Sequence, residues 1–294
     1  MGSPNAPSST ESSAPTDSFV PWWGDYTVRV QHMYHWHLGA LRSWILRDAN
    51  EWRVAWEAGR NPLYDANTCE GPTAANEAAF SWNEPPDSYT LARYSMHPTE
   101  ATLHVQPALA DRGLVVRPEH PISIPPNEAV TLFVSTPLWM RVMVHEREQQ
   151  LLEMPTVRLS DTWFGASTRA GELCYATRTT GQLHLENVPR RPHRAITPIR
   201  IRNQGHDTLL LERVQMPAPH LALYETSTSM LWTQALTLER EASRTTTAPA
   251  AAVHIRPGAP PEADKATRLT EPREPSRRNL FVSTFSAMGA LFGS

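Results

Sequence analysis

The chain has 294 residues, of which 40% are hydrophobic, so it can form one large β domain with tails or two smaller domains. Its formal net charge of −3 predicts no electrostatic attraction to nucleic acid. We therefore do not expect nucleic acid as a partner. The 27 prolines argue against long helices, because proline lacks the amide donor that a helix interior needs.

The cysteine content and the hydropathy indicate the compartment. Cys69 and Cys174 form no paired motif, which excludes a disulfide framework and a cysteine-rich zinc site and is typical of a reducing compartment. The first 18 residues do not resemble a signal peptide, since no basic region precedes an apolar run. No apolar stretch approaches the roughly 20 residues that span a bilayer. We therefore expect a soluble cytoplasmic protein without a transmembrane segment.

The composition divides the chain into polar tails and a β-rich centre. Residues 1–20, rich in Ser, Pro and Thr, are predicted to form a disordered tail, and residues 241–276 a disordered linker. The centre is predicted to form one β-rich half from 21 to 154 and a second from 155 to 240. The expected fold is all-β, either two packed layers of one β-sandwich or two small sandwiches in tandem.

Alternating apolar residues predict the strands, because successive side chains of a strand point to opposite faces. The apolar positions of this kind, in chain order, are Tyr26, Val28 and Val30, then Met140, Val142 and Val144, then Ile199 and Ile201. The polar run 203–207 predicts a hairpin between the Ile199 strand and the segment 208–211. A slip in the apolar phase beyond that segment predicts a bulge or bend near Glu212.

Residues 38–59 contain three tryptophans and are compatible with two structures. Their apolar residues fit a helical stripe, but Trp52, Val54 and Trp56 also alternate cleanly with polar or small residues. Asp48 and Asn50 favour a turn between the two apolar stretches. We predict a β-hairpin rather than a helix.

Four segments carry a resemblance to a known family. They read WHLGALRSWILRDANEWRVAWEAG, PISIPPNEAVTLFVSTPLWMRV, DTWFGASTRAGELCYATRT and TPIRIRNQGHDTLLLERVQMPAPHLALYETSTSMLWT. Together they resemble an uncharacterised prokaryotic family, domain-of-unknown-function family 432, over most of residues 22–240. The family has no established activity, so the resemblance implies no catalytic residue. It does imply an association with a membrane protein such as a small-conductance mechanosensitive channel, near which members are often encoded.

Two groups of side chains have a catalytic or metal-binding interpretation. His32, His35 and His37 form a dense cluster, but no third ligand accompanies the His35–His37 pair, so we predict polar surface rather than a metal site. Cys174 and His184 have the chemistry of a thiol–imidazole couple, yet Cys174 lies between apolar neighbours and is predicted to be a buried structural thiol. We expect no cofactor and assign no catalytic residue.

Two further groups have a binding interpretation. Tryptophans near turn-like residues are candidates for a platform that stacks on sugar rings, namely Trp22, Trp23, Trp82 and Trp163. Four arginines are candidates to grip a phosphate or carboxylate, namely Arg178, Arg190, Arg191 and Arg194. For both groups the simpler interpretation, core tryptophans and a solvated basic loop, is preferred.

The C-terminal residues 277–294 are predicted to form an amphipathic helix. The spacing i, i+4, i+7 and i+11 places four apolar side chains on one face, namely Phe281, Phe285, Met288 and Phe292. Arg277 and Arg278 precede this face and favour an anionic surface. A helix behind a linker is a common docking device, so we predict that it binds a protein partner or a membrane surface.

Together these features favour a non-catalytic binding or adaptor protein. The alternatives are an enzyme of unknown class, which a pocket of converging polar residues would indicate, and a β-sandwich that binds a sugar or an anion. The sequence identifies neither the partner nor the ligand.

Overall fold

The structure, a computed structural model, describes residues 19–144, 149–165, 169, 171–240, 251–275 and 280–282. Within these ranges the regular structure consists of strands and two short 3₁₀ turns, at Leu185–Asn187 and Ala218–His220. The strands form several mainly antiparallel sheets, so the predicted all-β class is confirmed.

The first sandwich packs a four-stranded sheet against a five-stranded sheet. The four-stranded sheet has the order β1 (Gly24–Thr27), β7 (Thr102–Ala108), β11 (Trp139–Val144) and β12 (Gln149–Pro155). The five-stranded sheet has the order β5 (Asn67–Ala74), β2 (His32–Leu38), β3 (Leu41–Arg47), β4 (Glu51–Ala58) and β6 (Thr90–Ser95). Across their interface the Ser43 hydroxyl lies 3.9 Å from the sulfur of Met140, and both residues are fully buried.

The predicted hairpin over residues 38–59 is confirmed. β3 and β4 pair in antiparallel register from Leu41↔Ala58 to Arg47↔Trp52. The turn is closed locally, because the amide of Asp48 donates to the Glu51 carbonyl and its carboxylate accepts from the amide of Ala49. The local turn chemistry therefore decides in favour of the hairpin.

The remaining strands form a second layered unit. One sheet has the order β13 (Ser160–Gly165), β14 (Gly171–Gly181), β8 (Leu114–Pro118) and β17 (Val214–Met216). A small sheet pairs β9 (Ile122–Ile124) with β16 (Leu209–Leu211). The largest sheet has the order β22 (Thr267–Thr270), β18 (Leu223–Glu225), β19 (Leu231–Thr233), β15 (Arg194–Asn203), β20 (Leu236–Arg240), β21 (Ala251–Ile255) and β23 (Leu280–Val282), with β10 (Ala129–Pro137) also paired to β15.

The predicted division near Met154 does not separate two units. β8, β9 and β10 precede it in sequence, but each pairs with a strand that follows it. One hydrophobic core also runs through both parts, from Trp22 in the first layers to Val253 in β21. Long-range strand pairing, which leaves no mark in the composition, overrides the sequence-based boundary.

The predicted hairpin around residues 203–207 is wrong. β15 pairs with β10, β19 and β20, whereas β16 crosses to β9. The side-chain amide of Asn203 donates to the carbonyls of both Ile124 and Asp207, and so ties the turn to the β9 region. The predicted break near Glu212 does occur, since β16 ends at Leu211 and β17 begins at Val214 in a different sheet.

Two predictions for the C-terminal part are corrected. Residues 251–275 are not a disordered linker, because β21 pairs with β20 and β22 pairs with β18. Leu280–Val282 is not helical, because it forms the edge strand β23 against β21. Valine and phenylalanine favour the extended backbone when a neighbouring strand edge supplies hydrogen bonds. Residues 276–279 and 283–294, like residues 1–18, lie outside the described residues.

Candidate functional site

The candidate site is a cleft of about 630 Å³ at one end of the five-stranded sheet. The β2–β3 turn, the segment that follows β4, and the segment that follows β12 all contribute to its wall. Its polar or charged lining residues are His37, Arg42, Glu57, Arg60, Asn61, Tyr64, Ser88, Thr90 and Arg158. This volume lies in the range of pockets that hold small organic ligands.

Backbone hydrogen bonds hold the cleft walls together. The amide of Ala40 donates to Thr156 O, the amide of Gly59 donates to Ala40 O, and the amide of Arg158 donates to Gly59 O. These bonds, 2.8 to 2.9 Å long, link three chain segments that are far apart in sequence. The cleft is therefore a preformed feature of the fold.

A cross-strand row places charge on one face of the sheet. His37 in β2 stands opposite Arg42 in β3, and Arg42 stands opposite Glu57 in β4. The Arg42 guanidinium lies 3.7 Å from the Glu57 carboxylate, with about half of its side chain exposed. Burial, followed by the Glu57 carboxylate, raises the pKa of Tyr89 to about 12.

The other two cleft arginines are free of carboxylates. Among the described residues, neither the Arg60 nor the Arg158 guanidinium has an ion-pair or hydrogen-bond partner. Three guanidinium groups thus line the cleft against one carboxylate, that of Glu57. An excess of unpaired guanidinium groups in a concave site is suited to a phosphate or carboxylate, which each group can bind through two parallel N–H donors.

Aromatic surfaces lie beside these charges. The rings of His37 and Tyr64 stack with their centroids 5.2 Å apart, and Trp56 also lines the cleft. Burial, with Arg42 as a second cause, lowers the pKa of His37 below its ordinary value. The imidazole is therefore mainly neutral at pH 7 and offers a stacking surface rather than a charge.

Two of the arginines predicted to grip an anion instead support the cleft. Arg178 donates to the carbonyl of Arg60 at 3.1 Å, and Arg191 donates to the carbonyls of Leu63 and Tyr64 at 2.7 and 3.2 Å. These arginines belong to β14 and to the segment that precedes β15, so the second layered unit holds the loop that carries Arg60.

Arg194, the third of the predicted arginines, is buried in the core. It donates to the hydroxyl and the carbonyl of Ser135 and to the hydroxyl of Thr179, and thereby connects β15, β10 and β14. Burial, with Arg191 as a second cause, lowers its pKa to about 9. Its role is structural, since it cannot reach a ligand in solvent. Arg190, the fourth, is exposed and does not line the cleft.

The histidine cluster is engaged in packing. His35 stacks on Trp44 at 4.3 Å and lies 3.7 Å from the Glu70 carboxylate, and His32 contacts the carbonyl of Val30. Within the described ranges, no group of three or more metal-ligating side chains is placed to hold a metal ion.

The thiol–imidazole couple does not form. Cys174 is fully buried beside Val115 and Phe164, and burial, with Glu172 as a second cause, raises its pKa to about 12. His184 is largely exposed and lies 3.9 Å from Glu186. Cys174 therefore acts as a small apolar core residue, as its sequence neighbours predict.

The tryptophan platform also does not form. Trp22 is buried, and its indole donates to the carbonyl of Pro192, while Trp23 and Trp82 are partly buried. Trp163 alone of the four is exposed, at 45%. The predicted docking residues Arg277, Arg278, Phe285, Met288 and Phe292 lie outside the described residues, and of Phe281 the structure describes only its strand backbone.

No sequence pattern indicated the arginines that line the cleft. Arg42 lies within a strand, Arg60 follows a turn, and Arg158 follows the end of β12, so no spacing links them. Arg60 and Arg158 follow strands of two different sheets, β4 and β12, and their segments meet through the bond from the Arg158 amide to the Gly59 carbonyl. This proximity becomes visible once the packing of the sheets is known.

The fold and the cleft define a layered all-β protein with one strongly basic, ring-lined cavity at the end of a sheet. The profile of a protein family of unknown function, DUF432, matches residues 22–289, nearly the whole chain. The chain therefore belongs to this family. No curated protein and no solved structure matches it. In the part of the chain that the structure describes, no helix has the length and apolarity needed to cross a bilayer.

Proposed function

We propose that this protein is a non-catalytic binding module whose cleft holds a small anionic ligand. The observation that carries the proposal is the pair Arg60 and Arg158, two guanidinium groups without carboxylate partners that line the same preformed cleft. Both side chains are exposed at the cleft and can reach a ligand, and an anionic group there gains charge-assisted hydrogen bonds from both. The ligand class is a phosphate or carboxylate carried by a ring.

The proposal that the ligand contains a ring follows from the aromatic side chains next to the arginines. The stacked pair His37 and Tyr64 and the indole of Trp56 offer apolar faces beside the arginines. Aromatic faces of this kind stack on flat or sugar rings, while the arginines hold the anionic group. A bare inorganic anion would use the arginines but leave the rings without a partner.

Binding is favoured over turnover by the state of the two titratable groups in the cleft. The Glu57 carboxylate is ion-paired with Arg42, and His37 is stacked against Tyr64. An activated nucleophile needs a hydroxyl or thiol in hydrogen-bond contact with its base, and among the described residues neither Glu57 nor His37 has such a contact with a serine, threonine or cysteine. The alternative, an enzyme of unknown class, is tested by the same experiment.

The experiment titrates phenyl phosphate, glucose 6-phosphate and inorganic phosphate into the protein by isothermal titration calorimetry. We expect one of the ring phosphates to bind at least about tenfold more tightly than inorganic phosphate, because only it engages both the arginines and the rings. Equal affinity for all three compounds would contradict the proposal that the ligand contains a ring. Absence of binding by all three would contradict the proposal that the cleft binds an anion. Release of phenol or glucose during incubation would favour an enzyme.

Variants locate the binding in the cleft. The double substitution Arg60→Gln with Arg158→Gln should lower the affinity for the ring phosphate by about tenfold or more, since it removes both unpaired charges. Arg29→Gln is the matched control, because Arg29 is exposed and lies outside the cleft lining. An unchanged affinity in the double variant would place the anion elsewhere and end the proposal.

The cellular setting is proposed from the sequence and two structural features. A cytoplasmic location is supported by Cys69 and Cys174, which are both free thiols. Adaptor activity through the C-terminal residues, toward a protein partner such as a mechanosensitive channel or toward a membrane surface, is supported by the spacing of Phe285, Met288 and Phe292. The docking face is narrowed to residues 283–294, since Leu280–Val282 belongs to the sheet.

A further inference from the structure

A second cavity, of about 290 Å³, lies between β14, β17 and the segment that precedes β8. It contrasts with the basic cleft in charge. Three carboxylates line it, from Asp111, Glu172 and Glu274, against the single guanidinium of Arg112. A buried side-chain amide lies between these carboxylates.

That amide belongs to Gln215, which is only 2% exposed and lines the cavity. Its Nε2 donates to the Glu172 carboxylate, which fixes the orientation of the amide because the reversed orientation would place two oxygens together. Its Oε1 is buried and has no hydrogen-bond partner among the described residues. A buried acceptor without a donor is rare and costly, so a donor from a ligand is expected there.

The position of the amide is built into the backbone. A Cβ atom on Gly113 would lie 2.7 Å from the Gln215 Nε2 and 3.3 Å from the Cys174 sulfur, so a larger residue there would displace this amide. β17 also pairs with β8 at Gln215↔Val115, which holds the backbone of Gln215 in register. The acceptor is therefore presented in one fixed position.

The arginine in the lining is already matched by acidic groups. Arg112 lies 3.2 Å from Asp161 and 3.9 Å from Asp111, and its guanidinium stacks over Tyr175. Glu274 is more than half exposed and lies 3.6 Å from His220. The cavity thus keeps an excess of negative charge and of hydrogen-bond acceptors.

We infer that this cavity binds a nitrogen cation, a guanidinium or primary ammonium group, with Gln215 Oε1 and the surrounding carboxylates as acceptors. Such a cation supplies several N–H donors and a positive charge at once, which the acceptor set requires. A metal ion fits less well, since among the described residues no three metal-ligating side chains are placed to share one. This inference is independent of the anion cleft.

The test measures binding of agmatine, which carries both cationic groups, by isothermal titration calorimetry. The double variant Asp111→Asn with Glu274→Gln should weaken binding by about tenfold or more, because it removes two charges at exposed positions without touching the core. Gln215→Leu should abolish binding. If the Gln215→Leu variant does not fold, the Asp111→Asn, Glu274→Gln double variant alone tests whether agmatine binds in this cavity. Glu262→Gln is the control, since Glu262 is exposed and outside the cavity.

Two further titrations define the source of the cation. A blocked Gly-Arg-Gly tripeptide that binds as tightly as agmatine would identify an arginine side chain of a partner, whereas binding of agmatine alone would identify a small amine. Absence of binding by both, or an affinity that the double variant leaves unchanged, would overturn the inference. Calcium binding at this cavity that agmatine does not displace would also overturn the inference.

Discussion

Gly39 lies directly against the imidazole of His193: a Cβ atom on Gly39 would be 2.7 Å from the Cδ2 atom of that ring. Gly39 forms the β2–β3 turn, with φ +57°, and His193 directly precedes β15. The contact is extended by Thr156, whose hydroxyl donates to the carbonyls of Leu138 and His193. This packing joins the two layered units next to Ala40, which lines the cleft.

The first prediction concerns Gly39→Ala. We expect the free energy of unfolding to fall by about 2–3 kcal/mol, roughly 1 kcal/mol from the left-handed backbone and the rest from overpacking against His193. Urea denaturation measures the loss. Gly258→Ala is the matched control, because Gly258 has φ +80° and nothing within 4 Å of the added Cβ, so only the backbone cost should appear. Equal losses in the two variants would show that the His193 contact carries no energy.

The second prediction concerns the acid sensitivity of the fold. Burial, followed by Arg194 and Arg191, lowers the pKa of His193 to about 3. Between pH 6.5 and pH 3 the unfolded state therefore binds a proton that the folded state does not, so stability falls as the pH falls. One such group contributes at most about 1.4 kcal/mol per pH unit.

His193→Leu should remove that contribution. We expect a shallower loss of stability between pH 6.5 and pH 4 than in the parent protein, measured by urea denaturation at each pH. His206→Gln, at an exposed position, should leave the slope unchanged. A parent-like slope in the His193 variant would mean that other groups control acid unfolding.

The third prediction concerns the pH dependence of anion binding. The lowered pKa of His37 leaves its ring mainly neutral at pH 7, and protonation would add a positive charge to the cleft. A bound anion favours the charged form, so affinity should rise as the pH falls from 7 to 5. Benzenesulfonate is the probe, because its own charge does not change in this range.

The His37→Gln variant tests the assignment. Its affinity for benzenesulfonate should be nearly constant from pH 7 to pH 5, whereas an exposed-site control, His206→Gln, should keep the rise. If the rise persists without His37, a different group titrates with binding. The measurement is calorimetric titration at three or more pH values.

The fourth prediction concerns the C-terminal residues. Deleting 283–294 should leave the melting temperature nearly unchanged, because the deletion begins after β23 and spares its pairing with β21. The same deletion should abolish recovery on anionic lipid vesicles or with a native partner, if the apolar face of Phe285, Met288 and Phe292 is the docking surface. A drop of many degrees would show that these residues belong to the core.

Local patterns in the sequence determined the class of the fold. The alternation Met140, Val142, Val144 places three residues on the buried face of β11, and Ile199 and Ile201 are likewise fully buried in β15. The β3–β4 hairpin follows from Asp48 and its neighbours, since the bonds from Asp48 N to Glu51 O and from Ala49 N to the Asp48 carboxylate join residues close in sequence. Period-2 burial and short turns are properties of consecutive residues, so a single sequence contains them.

Only the tertiary structure decided which strands are neighbours and therefore where the binding groups meet. Arg42, Arg60 and Arg158 reach one cleft because β4 pairs with β3 and because Arg158 bonds to the backbone of Gly59. The same holds for Gln215, whose amide lies beside Glu172 through the pairing of β17 and β14 on either side of β8. Strand order depends on the packing of the whole core, so residues that are distant in sequence can lie together although no sequence motif predicts it.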